Sequence, residues 1–242
     1  GSLGGMFSHA SSFNCDISSW DISNASYIGN TFIINTDLSI QIKCSIQESF
    51  SINELWPYEW ECPQQVGDLA HGGIVFYVDS TGQHGLVAAF EDLIGIYQYG
   101  CFGIDILGAD ETSIGTGYQN TMDIVNQGCS SEVSETAAYE TAAQACLNYE
   151  NLGYDDWFLP SLLELQEMYN TIGQGGPFGN LGGFDYSHYE TWYWSSTESD
   201  YIHVYSDGPG LPFRYAMALN YDGTEYLGWK ISEARVRPIR SF

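Results

Sequence analysis

Basic side chains are what this sequence lacks most. Of its 242 residues only 6 are Lys or Arg, against 31 Asp and Glu, for a net charge of −25. Phosphate groups are bound mainly by Lys and Arg, so nucleic acid and anionic lipid are excluded as partners. No apolar run approaches the roughly 18–20 residues that span a bilayer, so no membrane insertion of this segment is expected. A signal peptide is also missing at Gly1, where Gly1-Ser2 reads as a cloning scar, and that absence does not argue for a cytosolic home. Ordered catalytic signatures are lacking too: Gly-x-Ser-x-Gly, His-Glu-x-x-His, a phosphate-binding P-loop and Gly-x-Gly-x-x-Gly do not occur. His9, His71, His84, His188 and His203 are scattered and read as turn or surface residues. An enzyme is not expected.

Aromatic residues are plentiful at 15%, with 18 Tyr, 12 Phe and 7 Trp beside 27 Gly. That mixture suits short strands, many turns and aromatic surfaces better than a helical bundle. The acid surplus has two readings: it keeps an exported protein soluble, or it gathers carboxylates for a hard cation such as calcium. For calcium the candidate ligands are Asp105, Asp110, Glu111, Asp200, Asp207 and Asp222. Cys15, Cys44, Cys62, Cys101, Cys129 and Cys146 form no Cys-x-x-Cys pair, and their even count and wide spacing favour disulfides over reduced thiols. Cys44 with Cys62 is a reasonable internal staple. Cys101 with Cys129, flanking one loop and its helix, is the first guess beyond it.

Gly153 to Ser161 is the organising stretch. Trp157-Phe158-Leu159 stops at Pro160, and Ser161-x-x-Glu164 reads as a capping box that starts a helix. Leu162, Leu165, Met168 or Tyr169 and Ile172 then recur at helical spacing, and Gly173 is the stop. Ile74–Val78 and Leu86–Phe90 around a Gly-containing loop read as a hairpin. Asn120 is placed as the cap of a short helix to Asn126 or Gln127. A second helix is expected over 132–149, with Ala138, Ala142, Ala145 and Tyr149 on one stripe. Further strands are read at 192–198, 215–219 and 234–240, the last closing a sheet.

Residues 6–24, from Met6-Phe7-Ser8-His9-Ala10 to Trp20-Asp21-Ile22-Ser23-Asn24, resemble one unit of the BspA-type leucine-rich repeat of bacterial surface lipoproteins. A single repeat cannot bury its apolar face alone, so it must lean on the adjoining chain or on repeats upstream. Residues 25–62 read as a cap and tether, with a domain boundary near Cys62–Gln65 that divides 1–62 from 63–242.

Six blocks in the remainder share a second likeness: Gly72–Tyr77, His84-Gly85-Leu86, Ile114–Gly117, Asp156–Ser161, Tyr193–Thr197 and Val236–Arg240. Together they resemble the C-terminal domain of the Legionella collagen-like adhesin and its relatives on bacterial surface proteins. The resemblance implies an α+β, C-type-lectin-like head, with a small twisted antiparallel sheet, flanking helices and long loops. It implies binding rather than catalysis, and an extracellular or cell-surface location. Some relatives are hypervariable receptor-binding proteins made by diversity-generating retroelements. The adhesin itself forms trimers, which makes a homotrimer an expectation, and binds sulfated glycosaminoglycans. This chain departs from that last activity because it has no basic patch to offer. Arg235, Arg237 and Arg240 alternate along one expected strand and read as structural, paired with carboxylates or lying on aromatic faces. Asp155-Asp156-Trp157 lacks the order of a calcium-lectin sugar site, so Asp156 is expected to hold the bend before the helix through backbone hydrogen bonds.

The binding surface is expected between Trp192 and Trp229, where rings alternate with Ser, Gly and Asp, the chemistry of antibody paratopes. Candidate ligand-binding residues are Tyr193, Glu198, Asp200, Tyr201, His203, Tyr205, Tyr215, Asn220, Tyr221, Asp222, Glu225 and Tyr226. Trp194 and Trp229 are assigned to the core, and Tyr201, Tyr205, Tyr221 and Tyr226 to the surface. The expected partner is a neutral glycan or a protein ligand on another surface. A structural or oligomerisation head capping a repeat stalk is the alternative.

Overall fold

The computed structural model describes residues 1–131, 140–185, 191–203, 213–220 and 222–242. They divide into two compact units, Gly1–Pro63 and Gln64–Phe242.

In the first unit, Ser39 caps helix α1 (Ile40–Phe50) by accepting from the Ile42 amide. The repeat-like stretch contributes Ile17 and Ile22 to a core that α1 closes with Ile46 and Phe50, Trp56 and Tyr58 packing beside them. Leu3, Phe7 and His9 donate backbone bonds to Tyr27, Phe32 and Ile34, so residues 3–9 lie along residues 27–34. The expected cap is thus partly helical, and it covers the apolar face that one repeat would leave bare. The Cys44–Cys62 disulfide ties α1 to the end of the unit.

The second unit is mixed α and β, with small antiparallel sheets and few helices. Strands β1 (Leu69–Ala70), β2 (Gly73–Val78) and β3 (Gly85–Ala88) form the expected hairpin and its edge. A short strand β4 (Tyr97–Gln98) comes next, then helix α2 (Gly117–Asn126), helix α3 (Ala142–Leu147) and helix α4 (Leu162–Thr171). Strands β5 (Trp192–His203), β6 (Phe213–Asn220) and β7 (Glu225–Trp229) make a three-stranded sheet in that order. Strand β8 (Glu233–Ala234) pairs with β4, and β9 (Ile239–Ser241) with β3. The single strand expected over 234–240 is therefore two short ones in different sheets. Cys101–Cys129 is the second disulfide, while Cys15 and Cys146 remain thiols. Burial pushes the Cys146 thiol well up.

Helix α4 starts on the capping box the sequence announces. Ser161 Oγ accepts from the Glu164 amide, and the Glu164 carboxylate accepts from the Ser161 amide at 2.7 Å. Glu164 also accepts from the Gly115 amide at 2.7 Å, and a Cβ on Gly117 would stand 2.2 Å from its carboxylate oxygen. The Ile114–Gly117 block is thus the cradle of a buried acid, whose pKa burial raises. Leu165 and Met168 of α4, with Ile172 at its C-cap, are buried against Ile74, Phe76 and Phe158, each side chain contributing about 1.5–3 kcal/mol. Asn120 sits inside α2, whose cap is Thr116, four residues earlier than expected. Its amide donates to the Glu111 carbonyl at 2.6 Å instead of capping the helix. Ala142 and Ala145 are buried on α3, while residues 132–139 of the longer expected helix lie outside the described residues.

Asp156 holds its bend differently from expectation. It takes a two-pronged ion pair from Arg240 at 2.5 and 2.9 Å, and this contact keeps its carboxyl below the usual range.

Candidate binding face on the three-stranded sheet

Strand β5 runs beside β6 with two register jumps. Trp194 opposes Ala218, but the next pair is Glu198 with Ala216. The extra residues between them serve neighbouring chain segments. Ser195 Oγ donates to the Met217 carbonyl at 2.7 Å, and Thr197 Oγ1 donates to Glu111 at 2.9 Å and accepts from the Leu162 amide. That is the physical content of the Trp194-Ser195-Ser196-Thr197 block: a bulged strand docked on the start of α4.

The register sorts the side chains of this sheet into two faces. Ala216 opposes Gly228, and Ala218 opposes both Trp194 and Tyr226. On this inner face Trp194, Ala216 and Ala218 are buried with Tyr99, Ala234 and Val236, while Tyr226 stands at its exposed margin. A Cβ on Gly228 would come within 2.4 Å of the Trp194 ring, so glycine lets the indole reach β7. On the outer face Tyr215 opposes Trp229, Met217 opposes Leu227, and Leu219 lies between Tyr193 and Glu225. Tyr193 and Leu219 are covered by Leu165 and Met168 of α4, but Tyr215, Met217, Leu227 and Trp229 lie beyond that cover. The Tyr201 ring joins them, 5.3 Å from Tyr215 and tilted by 65°. Tyr201 is 52% exposed and Trp229 43%.

Two candidates are corrected by this geometry. Tyr193 is a core residue: its hydroxyl donates to Asp92 at 2.8 Å and accepts from the Asp185 amide, and burial pushes its pKa up. Glu198 faces inward to Lys230, 2.5 Å away, and accepts from the Ile106 amide at 2.7 Å. Neither side chain is available to a partner. Trp229 is corrected in the other direction, from core to surface. Trp194 is fully buried, and Tyr226 is 41% exposed with its ring edge-on to Trp192 at 4.2 Å.

The rest of the candidate set is spread along the sheet. Asp200 is exposed beside Tyr201. Asn220, exposed Asp222 and Glu225 cluster at the turn between β6 and β7, where Glu225 accepts from Gln166 of α4 at 2.9 Å. The Asp222 carboxylate accepts from the Thr224 hydroxyl, which lowers its pKa. Tyr205, Asp207, Tyr221 and the His203 side chain lie outside the described residues. Of the expected calcium ligands, Asp105 is engaged by Arg214 at 2.5 Å, and Asp110 and Glu111 are exposed. Among the described residues, no three His, Cys, Asp or Glu side chains are grouped to hold a metal.

Every cation of the second unit is committed. Besides the pairs of Arg214, Lys230 and Arg240, Arg235 meets Asp185 at 2.5 Å and Arg237 meets Asp92 at 2.7 Å. Arg237 also donates to the Ala89 and Gly182 carbonyls and lies 4.2 Å from the Phe184 ring centroid. The structural role read for the C-terminal arginines is the one they have. Heparin chromatography should therefore pass the protein in the flow-through at about 0.15 M salt. Retention there would mean that some of these arginines leave their carboxylates.

Among the described residues no helix is long and apolar enough to cross a membrane. No protein-family model matches the chain, and no curated protein matches it.

Proposed function

We propose that residues 64–242 are a C-type-lectin-like binding head displayed on a bacterial surface, taking a neutral glycan or a protein ligand through the outer half of the β5–β6–β7 sheet that α4 leaves bare. The likeness to the collagen-like adhesin domain supplies the fold and surface setting. The observation that carries the reading is the group of exposed Tyr201, Leu227 and Trp229 beside half-buried Tyr215, brought together by the β6–β7 register and the Tyr201–Tyr215 ring contact. A rigid sheet presents such rings with little loss of entropy on binding. Two disulfides suit an oxidising compartment. The commitment of all five cations speaks against sulfated polysaccharides.

The test is an array of neutral glycans and surface proteins, probed with the intact chain in calcium and again in chelator. Trp229→Ala should weaken binding to any partner found by about 1–3 kcal/mol, as for interface anchors. Its melting point should fall less than that of a fully buried ring replaced by Ala, because 43% of the Trp229 surface is already in water. If Trp229→Ala instead dissociates a homotrimer and leaves ligand binding intact, the face is an assembly contact.

A further inference from the structure

The ladder of the three-stranded sheet leaves one side of β7 unused. We propose that two copies of this chain pair there, β7 against β7 in antiparallel register about a two-fold axis at Leu227. The inference stands apart from the ligand reading of the outer face, because it uses the backbone edge of the sheet.

The direction of each backbone group follows from the pairing with β6. The Asn220 amide donates to the Thr224 carbonyl at 2.8 Å, and antiparallel ladders bond through every second residue. Tyr226 and Gly228 therefore turn their N–H and C=O groups to Ala218 and Ala216, while Glu225, Leu227 and Trp229 turn theirs away from β6. The alternation holds on the other side of β6, where the Met217 carbonyl points to β5 and accepts from Ser195. Strand β7 is last in the order β5-β6-β7, and among the described residues no strand is hydrogen-bonded to its far side. The Trp229 carbonyl already accepts from the Ser232 amide at 2.7 Å, so Leu227 is the centre of the open seam. Edge strands are commonly shielded by proline, lysine or a bulge. Glu225-Tyr226-Leu227-Gly228-Trp229 has neither proline nor lysine and pairs with β6 without a register jump.

The occupant is a second copy because the strand complements itself. Antiparallel pairing about Leu227 sets each Leu227 against the partner's Leu227, and such a pair exchanges both of its backbone bonds. It sets Tyr226, 41% exposed, against the partner's Gly228, which has no side chain to obstruct the ring. It sets Glu225 against the partner's Trp229, so no two carboxylates meet directly across the strands. The contact is isologous and closes on itself, giving one continuous sheet with the outer faces of both copies on the same side. Each chain carries −25, so repulsion opposes the contact and added salt favours it. A seam of 5 residues is small, and a dissociation constant of about 1 µM to 1 mM is expected.

Sedimentation equilibrium of the intact chain should show monomer and dimer in exchange, with the dimer favoured as salt is added. Leu227→Glu places like charges directly opposite each other and should raise the dissociation constant roughly tenfold or more. Leu227→Cys gives a second reading that needs no loss of contact. In a Cys15→Ser background, mild oxidation should join two copies through position 227. Opposed residues of a bonded pair have Cα atoms about 5.5 Å apart, within the range a disulfide spans. Leu152→Cys in the same background, at a turn residue 73% exposed, should stay unlinked. A chain that remains monomeric up to about 1 mM, or one that forms a trimer, would overturn the proposal. So would a dimer indifferent to Leu227→Glu, or equal cross-linking at positions 152 and 227.

Discussion

Lys230→Met should destabilise the second unit by about 3–5 kcal/mol, the cost of leaving one member of a buried ion pair without its partner. Lys230 is completely buried, donates to Glu198 at 2.5 Å and to the Ile104 carbonyl at 2.7 Å, and lies 5.5 Å from the Tyr99 ring centroid. Burial pushes the Lys230 pKa down and that of Glu198 up, and the contact between them opposes both shifts. Removing the ammonium alone strands a carboxylate that keeps only the Ile106 amide as its described donor. The double replacement Lys230→Met with Glu198→Gln removes both charges and still leaves an acceptor for that amide. It should be more stable than the single variant, and denaturant melts of the two would show the order. A cost below about 1 kcal/mol for Lys230→Met would place the pair in the exposed class.

Trp194→Ala should cost a similar amount, about 3–5 kcal/mol, through lost burial and the cavity left behind. The ring is fully buried, packs on Tyr99 and Trp192, and donates from Nε1 to the Tyr97 carbonyl at 2.8 Å. It also supports Gly228 on β7, the residue between Leu227 and Trp229. Trp194→Ala should therefore lose stability and ligand binding together, whereas Trp229→Ala should lose binding with a smaller loss of stability. Thermal melts read beside the binding assay separate the two cases. A Trp194→Ala head that melts like the parent would contradict the packing described for the inner face.

The features legible in the sequence are those decided locally. Ser161 and Glu164 lie within one helical turn, so the capping box can be read directly. The hairpin of β2 and β3 is two adjacent apolar runs around a turn. Helix α1 also carries a local signal, because Ser39 precedes Ile42, Ile46 and Phe50 at intervals of four. The site residues are harder because their exposure depends on register. Tyr226, Leu227 and Trp229 are apolar on both phases of a strand, so alternation cannot say which side faces out. Only the pairing of Tyr215 with Trp229 turns that ring outward. Glu198 resembles a loop carboxylate because the lysine that buries it lies 32 residues away. The clue is that Lys230 is the sole lysine after Lys43, an unusual residue to find in so acidic a chain. Tyr193 shows the same pattern, since α4 covers it from an earlier part of the chain.

Hydroxyl-radical footprinting of the intact chain, alone and saturated with a ligand from the array, tests the binding face most directly. Tyr201, Leu227 and Trp229 should be oxidised in the free protein and protected in the complex, while Trp20 and Tyr27 of the first unit should stay reactive in both states. Protection confined to the first unit, with Tyr201 and Trp229 reacting equally in the free and bound states, would contradict the account.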